Sequence, residues 1–274
     1  AALIPGLLAI CLFLATIAIF VAIYPDAAPK TRKTDKEERI RATIGILPVA
    51  SVFIIVLGGM YAGFFNPTPA ASLGVGLVLI IGYVTKKLNF TQLKEALLET
   101  AGLSGMIYLI LLGAELMKIY MSRTGLPQAL ADWILVAGFE PMSVLIVLLL
   151  GIILLGCLLD SLSIILLIIP FFWPVLVELN GGVHIAAETA GFGMTTGDLK
   201  IWFGILALVV VEVGLITPPV GMNVFVISSI ADNCDISDTF KGVSPFFVAE
   251  LIRIVILVSL PILALWLPNI LTGN

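Results

Sequence analysis

The sequence predicts an all-α integral membrane protein with several spans, one re-entrant hairpin and one discontinuous helix. Composition is the first observation, because 60% of the 274 residues are hydrophobic and only 12% are charged. A soluble domain contains about 45–50% apolar and about 25% charged residues, so the surplus predicts helices in lipid. The other two observations are an apolar run at 143–177 that is too long for one span and one at 201–231 that glycine and proline interrupt.

Residues 1–100 are predicted to form scaffold spans. The chain begins with alanine and has no basic n-region, which predicts a fragment or a processed half rather than a cleaved signal peptide. At 66–72, "NPTPAAS" favours a proline-bent junction, with a further ion-site break as the alternative. The predicted elements are a span at 5–24, a polar loop at 25–43, spans at 44–64 and from about 66 to 85, and an interfacial amphipathic helix at 86–100.

Residues 101–231 are predicted to form a repeat whose centre is the run 143–177, in which Asp160 is the only charged residue. As one helix this run would be about 50 Å long, against a hydrocarbon core of about 30 Å. Two full spans would need about 40 residues and a polar turn. A re-entrant hairpin with its tip near Asp160–Ser163 therefore fits best. A span at 101–122 precedes it, and a polar, glycine-rich loop at 180–200 follows.

The stretch "EVGLITPPVGMN" at 212–223 interrupts the second run, 201–231. Two adjacent prolines remove backbone donors and disfavour helix before them, and glycines allow a turn or a close backbone approach. Two half-helices would then meet inside the membrane. One would present carbonyl oxygens and the other amide hydrogens, as secondary transporters do to hold cations and anionic substrates. A last span at 243–268 is predicted within 232–274.

The distribution of lysine and arginine predicts the orientation. With loop 25–43 in the cytoplasm and the hairpin entering and leaving from the outer side, ten of the fourteen basic residues lie inside and the C-terminus is periplasmic. These ten are Lys30, Arg32, Lys33, Lys36, Arg39, Arg41, Lys86, Lys87, Lys94 and Lys241. Because the only dense basic stretch also carries acids, no nucleic-acid partner is predicted.

Two segments combine a deep break with oxygen ligands suited to Na⁺: the stretch around Asp160, Ser161 and Ser163, and the interrupted stretch 212–223. Ionisable residues inside membranes are functional candidates, although Asp160 could also be a hydrogen-bonded structural acid. Glu212 either binds a cation or satisfies local backbone, and the sequence leaves both open. The pairs three residues apart, Glu115–Lys118 and Glu250–Arg253, are interpreted as neutralising pairs. The sequence contains no nucleophile–base pair, phosphate loop or His/Cys cluster, so no enzyme and no cofactor are predicted.

Four stretches resemble the large membrane subunit of TRAP transporters, the DctM-like family. They are "IPGLLAI" at 4–10, "LGGMYAGFFNPTPAASLGVG" at 57–76, "GCLLDSLSIILLIIPFFWPVL" at 156–176 and "EVGLITPPVGMNVFVISSIA" at 212–231. The resemblance implies a sodium-driven, elevator-type importer of an organic acid, such as a carboxylate or sialic acid, in the bacterial inner membrane. Its implied partners are a periplasmic binding protein and a small four-helix membrane subunit. The chain would be a multi-span helical transporter half, the second inverted repeat of an ion-transporter-type fold.

By this resemblance, 143–177 is the second hairpin and 201–231 the second broken helix. The implied ion and substrate residues are Asp160, Ser161, Ser163, Gly214, Thr217, Pro218, Pro219, Gly221 and Asn223, with Na⁺ at Asp160, Ser161, Gly214 and Thr217. The first repeat is absent, so the remaining N-terminal half of the large subunit is expected as a partner. The family's Thr-Pro-Thr-Glu stretch is replaced by "NPTPA". The alternatives are a carrier of the same superfamily that needs no binding protein, and a scaffold subunit inactive in transport.

Overall fold

The computed structural model describes residues 1–25, 35–230 and 235–272. Within these ranges the regular structure is α-helical, and five of the helices found there are long and apolar enough to cross a membrane. The all-α prediction is therefore confirmed. The helices are α1 (Leu3–Ile23), α2 (Lys36–Tyr61), α3 (Pro67–Val84), α4 (Phe90–Thr124), α5 (Leu126–Val136), α6 (Pro141–Gly156), α7 (Ser161–Asn180), α8 (Thr196–Gly214), α9 (Met222–Ile230), α10 (Ile236–Ser259) and α11 (Ile262–Thr272).

The chain forms two compact units, one from Pro29–Gly105 and one from Ala1–Ala28 with Met106–Asn274. In the first, α2 begins at Lys36, inside the stretch 25–43 that the sequence predicts as a loop. The Asp35 carboxylate accepts a hydrogen bond from the N–H of Lys36 at 2.7 Å. Two glutamates follow in the first turn, where negative charge stabilises a helix N-terminus. Residues 26–34 of the predicted loop lie outside the described residues.

The junction between α2 and α3 agrees with the predicted proline-bent connection. α2 ends at Tyr61 and α3 begins at Pro67, where a proline costs no intrahelical hydrogen bond. A side chain at Gly59 would lie 2.7 Å from the ring of Phe65, so glycine lets the ring fold back against α2. The stretch 66–72 is thus the cap and the start of α3, and the turn precedes it at 62–65.

The predicted boundary between an interfacial helix at 86–100 and a span at 101–122 is wrong, because α4 is one continuous helix of 35 residues. Its start is well defined: Asn89 and Gln92 each accept a hydrogen bond from the other's backbone N–H, at 2.8 and 3.0 Å. No proline follows until the helix has ended. The amphipathic pattern of its first turns indicates that one face of the helix is polar, but such a pattern does not end a helix.

The predicted helical hairpin is present as α6 and α7, which contact each other and are joined by residues 157–160. Its arms extend beyond the predicted 143–177 at both ends. Pro141 lies in the first turn of α6, and Gly181, with φ of 103°, ends α7 in the left-handed conformation.

Helix α8 is central to the larger unit and contacts α6, α7, α10 and α11. Trp202 and Phe203 on α8 are almost fully buried. The Trp202 indole N–H donates to the carbonyl of Leu257 at 2.8 Å, and the ring of Phe203 stacks with that of Trp173 on α7. These contacts fix α8 against α7 and α10 through large apolar side chains, and the buried Trp202 N–H has its hydrogen-bond partner.

The loop between α7 and α8 is shorter than the predicted 180–200, because both helices extend into it. The remaining loop comprises residues 181–195, and the fully buried side chain of Asn180 holds it in place by hydrogen bonds. Its side-chain amide donates to the carbonyl of Met194 at 3.2 Å and to the hydroxyl of Thr196 at 3.1 Å. Its side-chain oxygen accepts from the N–H of Phe192 at 3.1 Å. One buried asparagine thus replaces secondary structure in ordering this loop.

The single last span predicted at 243–268 is wrong. Two helices, α10 and α11, separate at Leu260–Pro261. Pro261 has no N–H to continue the ladder, and it disfavours helical backbone at Leu260, whose φ of −128° and ψ of 73° are not helical. Residues 231–234 lie outside the described residues, so the junction with α9 is not described.

Candidate functional site

The carboxylate of Asp160 sits at the N-terminus of α7, in the hairpin turn. It accepts hydrogen bonds from the backbone N–H of Ser163 at 3.0 Å and from the Ser163 hydroxyl. This is the helix-capping role that the structural alternative predicts. A carboxylate has about four lone-pair sites, so capping leaves acceptor capacity for a cation. Ser161, the first residue of α7, is half-buried beside it.

Helix α8 ends at Gly214, and the backbone is not helical again until Met222, which confirms the predicted break. Thr217 donates its hydroxyl proton to the carbonyl of Val213 at 2.6 Å, which leaves the oxygen's lone pairs as acceptors. The Pro218–Pro219 peptide bond is cis. Both prolines and the side chain of Asn223 are exposed.

Gly221 closes the break in a conformation that favours glycine. Its φ is +60°, and an added side chain would begin 3.1 Å from the ring of Phe240 on α10. The backbone N–H of Asn223 donates to the carbonyl of Leu215 at 3.1 Å, so a hydrogen bond spans the break. The interrupted segment is therefore an ordered turn that α10 covers on one side.

The hairpin and the break, from which the resemblance draws the implied sodium ligands, are in direct contact. A Cβ atom on Gly156 would lie 2.8 Å from Cα of Gly214, and one on Gly214 would lie 2.6 Å from Cα of Gly156. The buried thiol of Cys157 donates to the carbonyl of Pro218 at 3.4 Å. The two backbones therefore touch at glycine, beside a hydrogen bond from the turn to the break.

Sequence reasoning missed Gly156 and Cys157. Gly156 precedes the turn in a run of large aliphatic residues, and that signal could have identified it as a contact point. Cys157 carries no sequence signal, because its role depends on where the break lies in space. Among the predicted residues, Gly214 contacts the end of α6 at Gly156 and Pro218 accepts the bond from Cys157 in the turn, whereas Asp160 and Ser163 bond to each other.

Comparison with known proteins identifies the family to which this chain belongs. Residues 1–263 match the family described as "Tripartite ATP-independent periplasmic transporter, DctM component". The chain belongs to the DctM family. Together with the apolar helices, this makes it a multi-pass inner-membrane protein and confirms the resemblance carried by its motifs.

Three relatives illustrate the range of this DctM family. The C4-dicarboxylate TRAP transporter large permease protein DctM of Rhodobacter capsulatus is 32% identical over 80% of this chain and 46% of its own length. The sialic acid TRAP transporter large permease protein SiaM of Vibrio cholerae is 28% identical over 98% and 59%. The isethionate TRAP transporter permease protein DctMQ of Oleidesulfovibrio alaskensis is 28% identical over 76% and 30%. The chain thus spans between 30% and 59% of the length of these three relatives, which are permeases and not enzymes.

Both ion pairs that the sequence predicts are present in the structure. Glu250 and Arg253 on α10 approach to 2.8 Å with side chains only 8% and 12% exposed. Glu115 and Lys118 are equally close, but their side chains are 58% and 54% exposed. Only the first pair is therefore a buried neutralising pair. Glu212, exposed on the last turn of α8, is close enough to interact electrostatically with Glu250 and Arg253, which leaves both of its predicted roles open.

Proposed function

We propose that this chain is the C-terminal half of a sodium-coupled permease that imports an organic acid by an elevator-type movement. A periplasmic binding protein would deliver the acid. The observation that supports this most strongly is the contact between the hairpin turn and the break in α8–α9, through Gly156 and Gly214. Two interrupted segments that meet in an apolar protein form the kind of site that secondary transporters use.

In this proposal Na⁺ binds between the turn and the break, at Asp160, Ser161, Gly214 and Thr217. All four offer oxygen, which a hard cation prefers. The Gly214 carbonyl accepts one hydrogen bond, from the N–H of Thr217 at 3.0 Å, and keeps a second lone pair. It also lies at the C-terminal end of α8, where the helix dipole favours a cation.

The anionic substrate would bind near the opposite helix ends in the same region. Helices α7 and α9 begin beside the turn and the break, and their N-terminal ends favour negative charge. Ser163, Pro218, Pro219 and Gly221 would frame the ion site, and Asn223 would face the site or the substrate. The proposed substrate is an organic acid. The three relatives are named for different substrates, so they do not identify which organic acid this chain would take.

The hairpin is proposed to re-enter the membrane from the periplasmic side. With 16 residues, α6 is about 24 Å long, which is short for a hydrocarbon core of about 30 Å. Loop 25–43 would then be cytoplasmic and the C-terminus periplasmic. The packing of α6 and α7 on α8 supports movement of these helices as one body.

The proposed partners follow from the length of the chain and from its family. They are the remaining N-terminal half of the large subunit, a small four-helix membrane subunit, a periplasmic substrate-binding protein and the surrounding lipid. No cofactor is proposed beyond Na⁺ as the coupling ion.

Uptake by the assembled transporter in proteoliposomes tests this function. We expect an inward Na⁺ gradient, with the binding protein present, to drive uptake of a labelled C4-dicarboxylate or sialic acid. Asp160→Asn should reduce that uptake at least tenfold, whereas Asp132→Asn, at an exposed position on α5, should not. Equal uptake in K⁺ would contradict sodium coupling. Full uptake without the binding protein would favour the carrier of the same superfamily that takes substrate from solution.

A further inference from the structure

An apolar groove of about 940 Å³ runs between α1 and α10, within the larger unit. It is lined by the C-terminal half of α1, from Leu12 to Tyr24, and the middle of α10, from Lys241 to Ile252. Helix α11, which follows the C-terminal end of α10, also contacts α1, whose buried residues Pro5 and Ala9 lie near its N-terminal end, so α1 and α10 run antiparallel along the groove. At about 1.5 Å per residue each wall is about 16–18 Å long, close to half of a hydrocarbon core of about 30 Å.

The groove exists because small residues line helices that are held together elsewhere. The rings of Phe13 and Phe246 meet edge to face, with centroids 5.5 Å apart. Ala15, Gly242 and Ala249 leave the space beside that contact unfilled. A Cβ atom on Gly242 would meet nothing within 4 Å.

The hydroxyl groups of Thr16 and Ser244, which line the groove, are satisfied by their own helices. Thr16 donates to the carbonyl of Leu12 at 2.8 Å. Ser244 donates to the carbonyl of Lys241 at 2.8 Å, which is the carbonyl that Pro245 cannot bond. The middle of the groove therefore offers an apolar surface without free hydroxyl donors, which suits a hydrocarbon chain.

One end of the groove is polar and carries a cation. Lys241 lines this end, and its side chain is 75% exposed. Tyr24 lines the same end with its ring 58% exposed. Lys241 also pairs with Asp238 at 2.9 Å, but both partners are exposed, and such pairs stabilise little. The Lys241 ammonium can therefore turn to another anion.

We propose that this groove binds an anionic phospholipid, with one acyl chain along its apolar walls and the phosphate at Lys241. The length of the groove matches the hydrocarbon thickness of one membrane leaflet. The Lys241 cation lies at the end of the groove where the lipid headgroup would be. An apolar transmembrane helix of a partner would match the walls, but would offer the lysine no anion beyond Asp238. None of the residues that line the groove belongs to the hairpin turn or the break, and the inference does not depend on the proposed transport.

Native mass spectrometry of the detergent-purified transporter tests the site directly. The probes are phosphatidylglycerol, zwitterionic phosphatidylethanolamine and inorganic phosphate. Gly242→Phe fills the groove, and Gly113→Phe, at an exposed position on α4 with equal space around it, is the matched control. Lys241→Gln removes the cation, and Lys118→Gln breaks an equivalent exposed pair elsewhere.

We expect phosphatidylglycerol to bind more tightly than phosphatidylethanolamine. Gly242→Phe should abolish this binding, and Lys241→Gln should weaken it about fivefold, the effect of one basic residue at an anionic lipid surface. Asp238→Asn should strengthen it, because the competing carboxylate is gone. Both control variants should bind as the unmodified protein does.

Three results would overturn the proposal. The first is unchanged phosphatidylglycerol binding in Gly242→Phe. The second is displacement of the lipid by inorganic phosphate at equal concentration, which would indicate an ion site without an acyl chain. The third is loss of a co-purifying membrane subunit from Gly242→Phe but not from Gly113→Phe, which would assign the groove to a protein helix.

Discussion

Gly156 and Gly214 touch through their backbones, so a single added methyl group on either would begin within 2.8 Å of the other's Cα atom. One glycine ends the first arm of the hairpin, and the other ends the helix before the break. The contact brings together two segments that lie 58 residues apart in the sequence. The proposed ion site requires this approach, because neither segment alone supplies all of its oxygen ligands.

Substitution of Gly214 tests the importance of this approach. Gly214→Ala should lower the stability of the protein by about 1–3 kcal/mol, because α6 and α8 must separate to make room. Gly204→Ala, on the same helix with nothing within 4 Å of the added carbon, should be neutral or slightly stabilising. Thermal unfolding of the two variants in detergent measures the difference. Equal melting temperatures would mean that the close contact is not required.

The thiol of Cys157 reports on the same contact. It is buried and bonded to the carbonyl of Pro218, whereas Cys11 is exposed. In a background of Cys11→Ser and Cys234→Ser, N-ethylmaleimide should modify Cys157 slowly in Na⁺ and severalfold faster after Na⁺ is replaced by K⁺. Mass spectrometry of quenched samples gives the rates. Rapid labelling in both ions would show that the turn does not stay closed on the break.

Asn180 should control the order of the loop 181–195. Asn180→Leu removes the side-chain partner of the Phe192 N–H and of the Met194 carbonyl, whereas the Thr196 hydroxyl still donates to the carbonyl of Gly182, and each buried group left unsatisfied costs about 1–3 kcal/mol. We expect a lower melting temperature and rapid proteolysis within the loop. Asn66→Ala, at an exposed helix start without a side-chain bond, is the control and should change neither. Slow cleavage of both variants would contradict this role.

The buried pair Glu250–Arg253 should be coupled strongly. Glu250→Gln or Arg253→Met alone leaves one buried charge and should destabilise the protein by about 3–5 kcal/mol. The double variant should be more stable than either single one, because no unpaired charge remains. For comparison, Lys118→Gln breaks an exposed pair worth about 0–1 kcal/mol. Additive effects of the two substitutions on unfolding would contradict the coupling.

Local chemistry explains what could be predicted from the sequence. The break follows from Pro218 and Pro219, and the hairpin turn from the only charge in an apolar run of the wrong length. Pro261 could also have predicted the separation of α10 from α11. The run 243–268 has the length of one ordinary span, however, so a single helix was predicted there. The junction near residue 100 was predicted from a change of polarity, although nothing there ends a helix. The partner of Gly214 could not be predicted, because it depends on how α6 packs on α8.

The central claim is that Na⁺ binds where the hairpin turn meets the break, and the most direct test is the melting temperature of the assembled transporter as a function of Na⁺. A ligand of the folded state at 100 times its Kd adds about 2.7 kcal/mol, so the melting temperature should rise with Na⁺ at constant ionic strength. Asp160→Asn should abolish the rise, and Asp132→Asn should retain it. A rise of equal size with K⁺, or an undiminished rise in Asp160→Asn, would contradict the account.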